Sequence, residues 1–118
     1  MNEKSKSMAK IACHALSEKK AEDIRVIDIS TVSVIADYFV IASAGNINQL
    51  QAMMDAVEEE LYKNGYKNGK IEGNRSSSWI LMDYQDIIVH LFSREDRLFY
   101  DLERIWQDGK TISPEELG

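Results

Sequence analysis

Residues 79–92 constrain the fold more than any other stretch of the chain. Trp79-Ile80-Leu81-Met82 and Ile87-Ile88-Val89-His90-Leu91-Phe92 are two apolar runs, split by the short tetrad Asp83-Tyr84-Gln85-Asp86. Both runs are rich in β-branched and aromatic side chains, which suit a pleated, half-buried surface. With Tyr84-Gln85 as a two-residue loop, Asp83 stands opposite Asp86, Leu81 opposite Ile88, and Trp79 opposite His90. Side chains alternate between the two faces of a strand. One face then carries Trp79, Leu81, Asp83, Asp86, Ile88, His90 and Phe92; the other carries only Ile80, Met82, Ile87, Val89 and Leu91. The second face is dry and needs a cover. The first mixes large apolar groups with an imidazole and two carboxylates, as a core with a polar rim or a docking surface would.

The rest of the chain supplies the cover. Met8, Ile11, Ala12, Ala15 and Leu16 fall on one face of a helix spanning roughly Glu3 to Lys20, and the lysines lie largely on its other sides. Cys13 falls within this pattern and reads as a buried, inert thiol. Ile24, Val26, Ile27 and Ile29 form a short strand. A turn at Ser30-Thr31-Val32-Ser33 leads into a second strand, Ala36 to Ala42, apolar on both faces as a central strand is. Ser43-Ala44-Gly45-Asn46 breaks that strand, and Asn46 with Gln49 resembles a capping box. The helix it opens is apolar at Ile47, Leu50, Met53, Met54, Val57 and Leu61, and ends at Asn64-Gly65. A turn-rich connection holds one short strand around Lys70-Ile71-Glu72. After the hairpin, Ser93-Arg94-Glu95-Asp96 reads as the start of a third helix carrying Leu98, Leu102, Ile105 and Trp106. The order predicts a single α/β domain: a mixed sheet of about five strands with helices mainly on one face. Three helices do not readily cover both sides of five strands, so one face is expected to stay partly open.

Charge narrows the partners. The chain has 118 residues and a net charge of −6, whereas binding driven by phosphate neutralisation wants a basic face. The first 25 residues hold six Lys/Arg against four Asp/Glu, but from Ile80 onward there are nine acidic and four basic residues. Direct RNA contact is therefore expected to be minor at most, and a basic partner protein suits the acidic half better. No apolar run approaches the ~18 residues of a membrane span, and the N-terminus has no apolar signal-like segment. No membrane association and a cytoplasmic location are expected.

Chemistry is sparse. One cysteine gives no disulfide framework and no multi-cysteine metal site. Asp83 and Asp86, if directly opposed, form an acid pair of the kind a nucleotidyl- or phosphoryl-transfer enzyme uses with a divalent metal; both are equally ordinary turn formers. His90 with one nearby acid is too small a set for a metal site. Ser76-Ser77-Ser78 lacks the frame of a nucleophile elbow.

Asp37-Tyr38-Phe39-Val40-Ile41-Ala42-Ser43, Gln49 through Glu60, Glu72-Gly73, Trp79 to Tyr84, Asp86 to Phe92 and Tyr100 to Trp106 together resemble the ribosomal silencing factor family, the Iojap-like proteins. The most specific block is W-I-L-x-D-Y-x-D-x-x-V-H. The resemblance runs from about Lys4 to Asp108, which suggests an Iojap-like α/β domain at 1–108 and a short acidic tail at 109–118. It implies a nucleotidyltransferase-like topology and a binding protein, not an enzyme, with no cofactor and no metal. Such a protein docks on a large-subunit ribosomal protein at the intersubunit face of the large ribosomal subunit. There it blocks joining of the small subunit and represses translation under nutrient limitation. A homodimer is implied when the protein is free. Trp79 and Leu81 are expected to supply apolar contact and Arg75, Asp83 and His90 to orient it, with Tyr84 and Ile88 in the same partner-binding set. Gln85 stands where the family often has glycine, and Asn48 where arginine is frequent.

Overall fold

Two adjacent strands that run parallel, though far apart in sequence, form the middle of the sheet. The computed structural model describes residues 3–31, 34, 36–67, 69–73 and 79–93, with the backbone of 110–112. Its elements are α1 (Glu3–Glu18), β1 (Glu22–Asp28), β2 (Tyr38–Ala44), α2 (Ile47–Lys63), β3 (Lys70–Glu72), β4 (Trp79–Asp83), β5 (Ile87–Ser93) and β6 (Lys110–Ile112). The strands form one mixed sheet in the order β3-β4-β5-β2-β1-β6. β2 and β5 pair in parallel from Tyr38↔Ile87 to Ala44↔Ser93, and the other neighbours are antiparallel. β2 is buried along its whole length, as its two-sided apolar sequence requires. It also runs two residues past the expected break, through Ser43 and Ala44.

The single-domain α/β reading holds, with a sixth strand added to the expected five. β6 lies in the stretch read as an acidic tail, and its pairing with β1 ties Lys110–Ile112 to the sheet edge. The third helix expected from Ser93 onward lies outside the described residues, apart from Ser93 itself, which closes β5.

Both described helices sit on one face. Met8, Ala12 and Leu16 of α1 and Leu50, Met53, Val57 and Leu61 of α2 pack with Val26, Val40, Ile80, Met82, Val89 and Leu91 of the sheet. The expected dry face of the hairpin thus receives its cover. The beginning of α1 is fixed to the strand starts: Ser5 Oγ donates to Asp37 Oδ2, Lys4 Nζ lies 3.3 Å from Asp86 Oδ2, and the Asp37 amide donates to the Asp86 carbonyl at 2.9 Å.

The caps explain where the helices stop and start. At α2 the Gln49 amide donates to Asn46 Oδ1 at 2.8 Å, and the Gly45 amide donates to Gln49 Oε1 at 2.7 Å. This is a capping box shifted by one residue, because Gln49 reaches the amide before the cap. The Gln49 Nε2 also donates to the Lys20 carbonyl at 2.9 Å, joining the two helices end to end. At the other end of α2 the Tyr66 amide donates to the Leu61 carbonyl and the Gly65 amide to the Tyr62 carbonyl, with Gly65 at φ +91°. That is a Schellman ending. α1 ends in the same motif, but Lys20 takes the left-handed position at φ +59°.

The hairpin register differs from the expected one by two residues. Asp83 pairs with Ile88, Leu81 with His90 and Trp79 with Phe92. The turn lies one residue later than expected: the Asp86 amide donates to the Tyr84 carbonyl at 2.9 Å, and Gln85 between them has φ +71°. This is a three-residue γ-turn in its rarer, strained form. Asp83 Oδ1 accepts from the Gln85 amide at 2.8 Å and steadies it. A shift of one residue would have put the apolar sets of the two strands on opposite faces, whereas a shift of two leaves each side chain on its face.

Gln85 and Lys20 both carry a side chain where glycine is easier. Gln85→Gly and Lys20→Gly are each expected to stabilise the fold by about 0.5–1 kcal/mol, the relief of left-handed strain less the extra freedom glycine gains when unfolded. A urea midpoint that falls in either variant contradicts the account of that turn.

Candidate functional site

The face of the sheet opposite α1 and α2 carries a second apolar cluster. Ile27 and Ile29 come from β1 and the residue after it, Phe39 and Ile41 from β2, Ile88 and Phe92 from β5, and Leu81 of β4 packs at its margin. The face was expected to be partly open, and most of it is closed: Ile41 and Phe92 have no exposed surface, and Ile88 is buried. Exposure concentrates at the rim, where Trp79 is 37% exposed.

Trp79 sits at the first residue of β4, so the strand backbone fixes its direction. Its indole stacks on Phe92 with ring centroids 5.3 Å apart and 21° between planes. His90 lies alongside, 6.2 Å from the indole and 4.8 Å from Phe39, whose ring meets it edge-on. Register explains the grouping, since His90 is flanked by Leu81 on one side and Ile41 on the other. The sequence pattern alone did not identify Phe39 and Ile41 as its neighbours, because β2 is apolar on both faces and its partner strand is nearly fifty residues away.

His90 is 5% exposed, and neither ring nitrogen has a hydrogen-bond partner among the described residues. Burial lowers its pKa from 6.5 to about 4, so the ring is neutral at pH 7. It therefore acts as part of the apolar floor beneath Trp79 rather than as a surface charge.

The seven expected partner-binding residues separate as follows. Trp79, Leu81, Asp83, Ile88 and His90 share the face opposite the helices, with Leu81 and Asp83 half-buried and Ile88 and His90 buried. Tyr84 does not join them. It belongs to the helix-side cluster, because the turn begins after it and the strand alternation continues through it. Arg75 lies outside the described residues.

The acid pair is not formed. The expected juxtaposition of Asp83 with Asp86 is overturned by the register: Asp83 faces Ile88 and holds the turn, while Asp86 sits inside the turn beside Lys4. Among the described residues no three His, Cys, Asp or Glu side chains converge as metal ligands, and no helix is long and apolar enough to cross a membrane. What the site offers is a rigid aromatic edge on an apolar floor with a carboxylate nearby, an arrangement suited to contact with a partner.

Comparison with known proteins gives this surface a context. The family described as Ribosomal silencing factor during starvation matches residues 2–118. The chain belongs to that family. Ribosomal silencing factor RsfS of Bacillus subtilis is 38% identical over 103 residues, 87% of each chain. A mouse protein named Mitochondrial assembly of ribosomal large subunit protein 1 is 33% identical over 95 residues, covering 77% of this chain and 41% of its own. A crystal structure of a protein from Chromobacterium violaceum superposes with a TM-score of 0.79 at 27% identity, covering 91% of this chain and 88% of that one.

The buried imidazole has a measurable signature. Its stability contribution is complete above its unfolded pKa of 6.5 and is lost as pH falls toward about 4, a change on the order of 3 kcal/mol. His90→Leu removes the titrating group and the unpaired nitrogens. The stability difference between His90→Leu and the parent is expected to widen in favour of the variant between pH 6.5 and 4; a constant difference contradicts a buried neutral His90.

Proposed function

We propose that this protein is a steric inhibitor of ribosome assembly from its subunits. It docks on a large-subunit ribosomal protein at the face where the small subunit joins, and so represses translation when nutrients are limiting. The action is binding alone, without catalysis, in the cytoplasm. Membership of the silencing-factor family supports this reading, as does the mouse relative named for assembly of a ribosomal large subunit.

The observation that carries it is Trp79. A large apolar side chain, 37% exposed and held by stacking on Phe92, presents area to a partner with little entropy left to lose. Leu81 extends the apolar contact and Asp83, at the far end of the strand, gives it an orientation. Ile88 and His90 contribute from beneath, as the floor that keeps the indole in place. Arg75, outside the described residues, is proposed to help orient the contact. Tyr84, on the other side of the sheet, has no part in it. When no ribosome is present, the same rim pairs two copies of the chain, and the ribosomal partner competes with that pairing.

Sucrose-gradient sedimentation with purified large subunits tests the proposal. The protein is expected to travel with the subunit and to reduce joining when small subunits are added; a protein that stays at the top of the gradient ends the reading. Trp79→Ala is expected to weaken binding by about 2 kcal/mol or more while the variant stays folded. Unchanged affinity removes Trp79 from the surface. Light scattering of the free protein distinguishes a monomer from the proposed dimer.

A further inference from the structure

On the helix side of the sheet, away from Trp79, the end of α2 and the turn before β3 enclose a cleft of about 250 Å³. Three tyrosines line it: Tyr62, Tyr66 and Tyr84. Tyr62 is an exposed aromatic, and Lys67 Nζ already stands over its ring, 5.2 Å from the centroid. Tyr84 is more than nine-tenths buried, with its ring against Gly69, where even a Cβ would meet the ring carbons. Its hydroxyl has no hydrogen-bond partner among the described residues. Burial, and then the carboxylate of Glu58, push the Tyr84 hydroxyl above its ordinary pKa, which keeps it protonated.

The remaining walls are acidic. Asp55, Glu58 and Glu59 line the cleft. Glu59 is 3.2 Å from Lys63, and Asp55 accepts from Gln51, but Glu58 has no ion pair among the described residues. Aromatic faces, a carboxylate outside any ion pair and a tyrosine hydroxyl around one cleft are the elements that bind an organic cation. A planar guanidinium uses all three, by stacking on tyrosine and forking toward carboxylate, which a compact ammonium does less well. The chain's net charge of −6 favours a basic polypeptide as the carrier.

We infer that the cleft between Tyr62, Tyr84 and Glu58 is a binding site for an arginine side chain of a basic polypeptide, with the Lys67 ammonium as its internal occupant until the arginine displaces it. The site shares no residue with the Trp79 surface, so it stands or falls independently of the docking proposed above.

The test is an NMR titration of the full-length protein with N-acetyl-arginine amide, with its neutral counterpart N-acetyl-citrulline amide and with spermidine. The expected result is saturable shifts at Glu58, Tyr62, Tyr66, Gly69 and Tyr84 with the arginine probe at millimolar concentration, and none with citrulline. Tyr62→Ala is expected to weaken arginine binding about twofold to fivefold, the range of an exposed cation–π contact. Lys67→Ala is expected to tighten it, because the resident ammonium is gone. Both residues are exposed, so neither change threatens the fold. Equal shifts with citrulline, no saturation with arginine, or weaker binding in Lys67→Ala overturns the site. Tighter binding of spermidine than of the arginine probe overturns its assignment to a polypeptide.

Discussion

The parallel pairing of β2 with β5 is the constraint on which the other contacts depend. It aligns seven residues of each strand in the interior of the sheet. Parallel neighbours require a crossover, and α2 with the β3–β4 connection provides it, so the helix must lie across one face. Once α2 is there, α1 has a partner on the same side, and their apolar faces close over the sheet. The opposite face is left to a different set of side chains, and it is on this face that Trp79 reaches the surface. Placement of the exposed indole thus follows from a strand pairing that Trp79 itself takes no part in.

Much of this was legible in the residues because local physics decided it. Asn46 and Gln49 can satisfy orphan helix amides only at one place, and α2 begins there. Lys70-Ile71-Glu72 stands between glycines and asparagines and forms the strand it suggests. The two faces of the hairpin were also readable, since alternation survives an even error in register. The error itself came from Gln85. A residue with a long side chain gives no sign that it will adopt positive φ, and the γ-turn forms because Asp83 holds the amide of Gln85 itself while the Tyr84 carbonyl holds that of Asp86. The end of α1 was obscure for the same reason, with lysine in a position that usually announces itself as glycine.

The candidate site was legible as a set of residues but not as an environment. Sequence put Trp79, Leu81, Asp83, Ile88 and His90 on one face, and they share it. It left His90 open between core and interface, because the enclosing Phe39 and Ile41 arrive through the parallel register. An imidazole on a rim and an imidazole on a floor have opposite electrostatics. The first would carry charge to a partner; the second, neutral and without hydrogen bonds among the described residues, lends only shape and polarisable area. Nor did the sequence reveal the tyrosine-lined cleft, whose walls come from a helix end, a turn and the last residue before the hairpin turn.

The side chain of Gln49 links more than a cap. One end accepts from the amide of Gly45, at the close of β2, and the other donates to the carbonyl of Lys20, just past α1. The last turn of one helix and the first turn of the next therefore cannot fray separately without breaking the same amide group's bonds. Slow amide exchange in these two segments should share a single opening event.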